Sequence, residues 1–330
     1  MSVEAARTTR SLKVATPKPI ADAWYSQKRL GGLSRFALAI TILNIVGHVF
    51  LGFEQAWLVP FIALLATYST DLVGETLEAR AAARPPRYAG SFLNLVRFLL
   101  PAHISGLAVG MLLFSADNLV VIAFAPSAAM ASKYIFRVVV EVGRDGTPVV
   151  RHFLNPSNFG ITVTLLLFPT VGIAPPYMFT ENTSGIVDWL LPLIIVGTGS
   201  YLNTKATGRI PLILAWVTAF AAQAVLRALV HETPIAAGLV PMTGFAFILF
   251  TFYMITDPAT TPSRPREQAV FAIGVALLYA LFMELHIVFG LFYALTLVTL
   301  ARGCLIWLAG RRAQKALLRD RQSERMTHAR

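Results

Sequence analysis

The chain has 330 residues, of which 56% are hydrophobic and only 14% are charged, against about 25% charged in a typical soluble domain. So much apolar surface does not fit inside one soluble core of this length, and a lipid environment is expected. The net charge of +11 falls in short segments between apolar runs, which reads as membrane orientation and requires no nucleic acid. The single cysteine, Cys304, excludes a disulfide framework, a Cys-based zinc site and an iron–sulfur cluster built by this chain alone.

Residues 1–35 carry seven Lys and Arg and no apolar stretch of the signal-peptide kind. They read as a basic cytoplasmic tail, with Trp24 and Tyr25 in a segment that either lies on the membrane surface or is unstructured. The first apolar run begins near Phe36 and reads as a retained anchor. A bilayer core needs roughly 20 apolar residues in a helix. On that measure the expected spans are 36–53, 56–74, 92–115, 118–135, 157–170, 187–203, 210–230, 236–255, 267–283 and 286–308. The fifth is short and is expected to be broken or tilted. The segment 138–153 alternates and turns at Asp145-Gly146, the pattern of a small hairpin. The transmembrane domain therefore covers 36–308, and 309–330 form a second basic tail.

Orientation follows from the charges. With the N-terminus inside, the inner segments hold Arg80, Arg84 and Arg87; Lys133, Arg137, Arg144 and Arg151; Lys205 and Arg209; and Arg264 and Arg266. Together with the two tails, and Arg302 counted with the second, these are 26 of the 28 Lys and Arg; only Arg97 and Arg227 fall elsewhere. Positive charge is retained on the cytoplasmic side, so the expected location is the inner, cytoplasmic membrane with both ends inside. Trp57 and Trp189 sit where an outer aromatic belt belongs, and Trp307 suits the inner one.

Ionisable groups within spans need partners. His48 lies in NIVGHVFLGFEQ with Glu54 six residues later. His103 follows Pro101, a kink point, and His286 with Glu284 brackets the last outer turn. These four, His48, Glu54, His103 and His286, are candidates for proton relay or for hydrogen-bonding a polar ligand; the competing reading is that each histidine satisfies a carbonyl freed by a kink. No HxxxH or HExxH spacing supports a metal. Two further motifs, Asn155-Pro156-Ser157-Asn158 and Thr256-Asp257-Pro258-Ala259-Thr260-Thr261-Pro262, place Asn or Asp before Pro beside a helix. That is capping chemistry, and a helix N-terminus also suits an anion. Lys133, Arg137, Arg264 and Arg266 are near them in sequence.

At these motifs the chain resembles the RnfD/NqrB family, the membrane subunits of ion-pumping electron-transport complexes. The stretches LNPSNFGITVTLLLFP (154–169) and PMTGFAFILFTFYMITDPATTPSRPREQAVFAI (241–273) carry the likeness. It runs over most of 90–305 and is strongest to the RnfD-like membrane proteins of enediyne antibiotic biosynthesis, through GHVFLGFEQ, LLPAHISGLAVGMLLFSADNL, SKYIFR, APPYMFTEN and HIVFGLFYALT. The resemblance implies an all-α bundle of about ten helices in two inverted five-helix repeats, about 36–170 and 187–308. It also implies electron transfer with flavin, FMN or riboflavin, or with a quinone, and a redox partner protein or biosynthetic enzyme. Family members carry FMN on a threonine in an SGAT-like string. Here only Thr243 remains, in PMTGFAF, and the outer FTENTSG offers Thr180, Thr183 and Ser184, so the expected flavin is non-covalent. The implied cofactor-binding set is Asn155, Asn158, Thr243, Thr256, Asp257, Thr260 and Thr261. A reading from another class, a channel or transporter for an ion, precursor or product, fits the same polar groups.

Overall fold

The computed structural model describes residues 27–115, 118–142 and 148–328. Trp24, Tyr25 and the Asp145-Gly146 turn lie outside the described residues. In chain order the elements are α1 (Gln27–Val46), α2 (Val59–Ala81), α3 (Phe92–Leu112), β1 (Leu113–Phe114), α4 (Leu119–Ile135), β2 (Arg137–Val142), β3 (Pro148–His152), α5 (Pro156–Leu167), β4 (Gly172–Ile173) and α6 (Ile186–Leu202). They continue with α7 (Ile210–Val230), α8 (Ile235–Leu239), α9 (Phe245–Leu249), α10 (Pro265–Glu284) and α11 (Gly290–His328). Three π-helical segments, Gly47–Leu51, Asn203–Thr207 and Phe250–Met254, extend α1, α6 and α9.

Helices therefore occupy each of the ten apolar runs. Among the described residues, six are long and apolar enough to cross a membrane, or seven if the pair Ile235–Thr243 and Phe245–Met254, bent by 65°, is one span. The shortfall from ten has physical causes. α2 carries Asp71, Glu75, Glu78 and Arg80 within an otherwise apolar helix. α4 and α5 have 17 and 12 residues. α5 stops early because the chain then forms β4, which pairs antiparallel with β1 in the register Leu113↔Ile173 and Phe114↔Gly172. The side chain of Gln55 donates to the Leu113 carbonyl at 2.9 Å, and Ala174 N–H to that of Leu112 at 2.9 Å. The non-helical backbone is thus satisfied by protein, the condition for irregular chain at membrane depth. β2 and β3 pair antiparallel from Arg137↔His152 to Val142↔Pro148, with an irregularity between Val139 and Glu141.

The pattern of exposure is inverted relative to a soluble helix. α1 and its π extension turn Leu38, Ile42, Ile45, Val49 and Phe50 outward and bury Asn44. On α2 the outward residues are Phe61, Leu65, Val73 and Leu77, while Thr67, Asp71 and Glu75 are fully buried. Apolar outside and polar inside is what a lipid solvent selects, and the long apolar helices are compatible with an integral membrane protein. Packing relies on small residues, as membrane bundles do: a Cβ on Gly160 would stand 2.5 Å from the Ala125 carbonyl oxygen, so α5 lies directly on α4.

One local unit occurs twice. The π segment after α1 ends at Gly52, φ 83°, where Phe53 N–H donates to the Gly47 carbonyl at 3.1 Å; the segment after α6 ends at Gly208, φ 67°, where Arg209 N–H donates to the Asn203 carbonyl at 3.1 Å. Both glycines supply a left-handed conformation that few other residues adopt. A helix with proline in its first turn follows each.

Candidate functional site

Two polar assemblies lie inside the apolar envelope. The first is the junction of the two proline motifs. Asn155 caps α5, its side-chain oxygen accepting from Asn158 N–H at 3.0 Å. Its amide then donates to the Met254 carbonyl at 3.0 Å, where the π segment before the second motif ends. Asn158 continues inward: its amide donates to the Phe292 carbonyl at 3.0 Å and to Thr296 Oγ1 at 2.7 Å, and Thr162 meets Thr296 at 2.8 Å. The Asn158 side-chain oxygen is buried with no hydrogen-bond partner.

Asp257 organises the second motif. Its carboxylate accepts from Ala259 N–H at 3.0 Å and from the Thr260 hydroxyl at 3.0 Å, and its carbonyl accepts from the Thr261 hydroxyl at 2.6 Å. Thr256 donates to Phe252 O at 2.7 Å. Arg209, buried between the π segment and α7, reaches this loop through Thr261 Oγ1 at 2.9 Å and the Pro258 carbonyl at 3.3 Å. Arg302 donates to the Thr260 carbonyl at 2.9 Å. Burial pulls the Arg209 guanidinium below its ordinary value; the Asp257 charge acts against this and the Arg302 charge adds to it. Sequence reasoning counted Arg209 only as an orientation charge. Asp257 reaches the same junction through its main chain, its N–H donating to the Met254 carbonyl at 3.4 Å, the acceptor that Asn155 also uses. Asn155 engages the Asn158 N–H, the loop's Thr261 hydroxyl and Pro258 carbonyl engage Arg209, and one N–H of Arg302 is held by the Thr260 carbonyl. The orphan Asn158 oxygen is an acceptor, which suits a donor or a cation. Thr243 lies apart: it is exposed, donates to Val240 O at 2.8 Å, and α9 with its π extension separates it from Asp257.

The second assembly sits on α2 and was not foreseen. Asp71 accepts from Lys133 Nζ at 2.7 Å and from the Tyr134 hydroxyl at 2.5 Å. Glu75 pairs with Arg84 at 2.6 Å and with Arg87 at 3.3 Å. Glu78 pairs with Arg137 at 2.9 Å and Arg87 at 3.2 Å. Asp71 and Glu75 are both fully buried. Glu78 stands at the helix end, beyond the expected span. Burial pushes its carboxyl up, but Arg137, Arg87 and Arg84 outweigh that and hold it below the ordinary value. The signal was in the sequence: Thr67, Asp71 and Glu75 recur every four residues, one stripe of a helix.

The histidines divide. His103 is held between Thr41 Oγ1 at 2.7 Å on Nε2 and Tyr68 OH at 2.6 Å on Nδ1. Thr41 already donates to the Ala37 carbonyl at 2.7 Å, so the network assigns the ring proton to Nε2 and leaves Nδ1 to accept from Tyr68. His48 places Nδ1 2.9 Å from the Asn44 carbonyl, and its Nε2 is buried without a hydrogen-bond partner. Glu54 and His286 are exposed; Glu284 pairs instead with Arg227 at 2.6 Å and His231 at 2.8 Å. Among the described residues, no group of three His, Cys, Asp or Glu side chains is placed to hold a metal ion.

No family model and no curated protein matches the chain. What the residues establish is a helical protein with a lipid-suited exterior and two buried polar assemblies, one at the proline motifs and one on α2.

Proposed function

We propose that this chain is a multi-pass inner-membrane protein of the RnfD/NqrB type, with about ten crossings in two inverted repeats, serving as a flavin- or quinone-linked electron-transfer subunit in enediyne biosynthesis. The observation that carries the reading is the contact of Asn155 with the Met254 carbonyl at 3.0 Å. The two stretches on which the resemblance rests are far apart in sequence and meet in one buried junction. The repeated unit of π segment, left-handed glycine and proline-led helix supports the internal duplication. The test is the absorption spectrum of protein purified gently in detergent: a flavin band, removed by denaturation and absent from in-gel fluorescence, is expected. A colourless preparation that also shows no quinone on extraction rejects the electron-transfer reading.

A channel or transporter is the second reading. It is favoured by the 65° break between Ile235–Thr243 and Phe245–Met254 and by carboxylates buried at Asp71 and Glu75, both features of helices that line a translocation route.

A further inference from the structure

The polar residues of α1, α2 and α3 form one file. His103 of α3 bridges Thr41 of α1 and Tyr68 of α2, which sets those three at one level. From Thr41, Asn44 and His48 follow along the inward face of α1 and its π extension, seven residues and about 10 Å toward one end. From Tyr68, Asp71 and Glu75 follow along α2, seven residues and about 10 Å toward the opposite, basic end. The file covers about 20 Å of a hydrocarbon core that is roughly 30 Å thick. Asn44, Asp71 and Glu75 are buried and Thr41, His48, Tyr68 and His103 half-buried, while Leu38, Ile42, Ile45, Leu65 and Val73 face out.

Three atoms along it are buried and lack hydrogen-bond partners, His48 Nε2, Asp71 Oδ2 and Glu75 Oε2, the last facing only the Arg87 guanidinium at 3.3 Å. Orphan polar atoms at this depth are costly and are where water is held. The charged and titratable groups around Asp71 are Lys133 and Tyr134 from α4, with Glu75 on α2 and its partners Arg84 and Arg87 beyond it. Folding alone gives no reason for such a set, because replacing a buried ion pair by neutral groups of similar size is often neutral or stabilising.

We propose that this file conducts protons across the membrane, between the basic end at Glu75 and the opposite end at His48. One proton enters at the Glu75 end and one leaves past His48, with no bond to carbon made or broken. Asp71 Oδ2 is the open acceptor in the lower half. His103 is the two-sided relay: a proton taken at Nδ1 from the Tyr68 side releases the Nε2 proton toward Thr41, and ring reorientation resets it. Water held at Asp71 Oδ2 bridges the turn from Tyr68 to Asp71, and water at His48 Nε2 the turns from Thr41 to His48. The file needs no bound redox group, so its failure and that of the electron-transfer reading are separate results.

The experiment uses the full chain in liposomes of neutral lipid with a pH dye inside and an imposed potassium potential. Wild-type protein is expected to carry protons inward faster than empty liposomes do. The double variant Asp71→Asn with Lys133→Met, a neutral pair, is expected to fold and to fall to the empty-liposome rate. Glu284→Gln, outside the file, keeps the wild-type rate. No flux from wild type, or wild-type flux in the folded double variant, overturns the proposal. If the double variant fails to fold, His48→Met decides: it must lose the flux, and retention overturns the proposal equally.

Discussion

The side-chain amide of Asn155 and the main-chain carbonyl of Met254 share a hydrogen bond of 3.0 Å across 99 residues of sequence. Asn155 thereby does two jobs, capping α5 with its oxygen and tying α5 to the second motif with its nitrogen. Asn155→Asp keeps the capping oxygen and removes the donor, leaving a buried carbonyl unpaired, which costs about 1–3 kcal/mol. Asn155→Ala loses the cap as well, about a further 1 kcal/mol. Thermal unfolding in detergent should rank wild type above Asp and Asp above Ala; equal midpoints for wild type and Asp would show that the Met254 contact contributes nothing.

Breaking the Asp71–Lys133 pair from one side strands a charge. Lys133→Met alone should destabilise by about 3–5 kcal/mol, and adding Asp71→Asn should recover most of it. The two unfolding midpoints measure this. A double variant as unstable as the single one would mean that Lys133 acts through its 5.4 Å contact with the Phe98 ring rather than through Asp71.

Glu78 links stability to pH. Its carboxyl is held below its ordinary value in the folded chain by three guanidiniums that outweigh burial. A depressed carboxyl stabilises above its unfolded value and loses that contribution as the pH falls through the folded one. The stability gap between wild type and Glu78→Gln should be full at neutral pH and close on acidification below the ordinary carboxylate range. A gap independent of pH assigns Glu78 a packing role only.

Reporter fusions test the orientation. Fusions at Thr260 should report the cytoplasm, and those at Pro60 and Thr180 the opposite side. A periplasmic signal at Thr260 refutes the ten-crossing arrangement.

The helices were legible because apolar runs of span length have few other uses. The alternation of 138–153 likewise foretold strands β2 and β3. The site was legible in part. Asn155 and Asp257 stood out as residues before proline. The partners of His103, at Thr41 and Tyr68, are set by how α1, α2 and α3 pack, which no local pattern encodes. Arg209 was hidden because a basic residue between two spans is explained by orientation alone, although its side chain turns inward onto Thr261. Asp71 and Glu75 were passed over near the end of an expected span, where their four-residue spacing goes unnoticed unless the helix is followed past it.

Helix α11 runs without interruption from Gly290 to His328, about 30 Å beyond the expected membrane boundary at 308. It is a stalk and not a leash. A flexible tether lets its cargo search a volume, and its benefit falls with length. A stalk fixes bearing and height, and each added residue turns its far end by about 100°. Inserting one alanine near Arg311 should therefore disturb anything that must face the bundle from that helix more than inserting a full turn does.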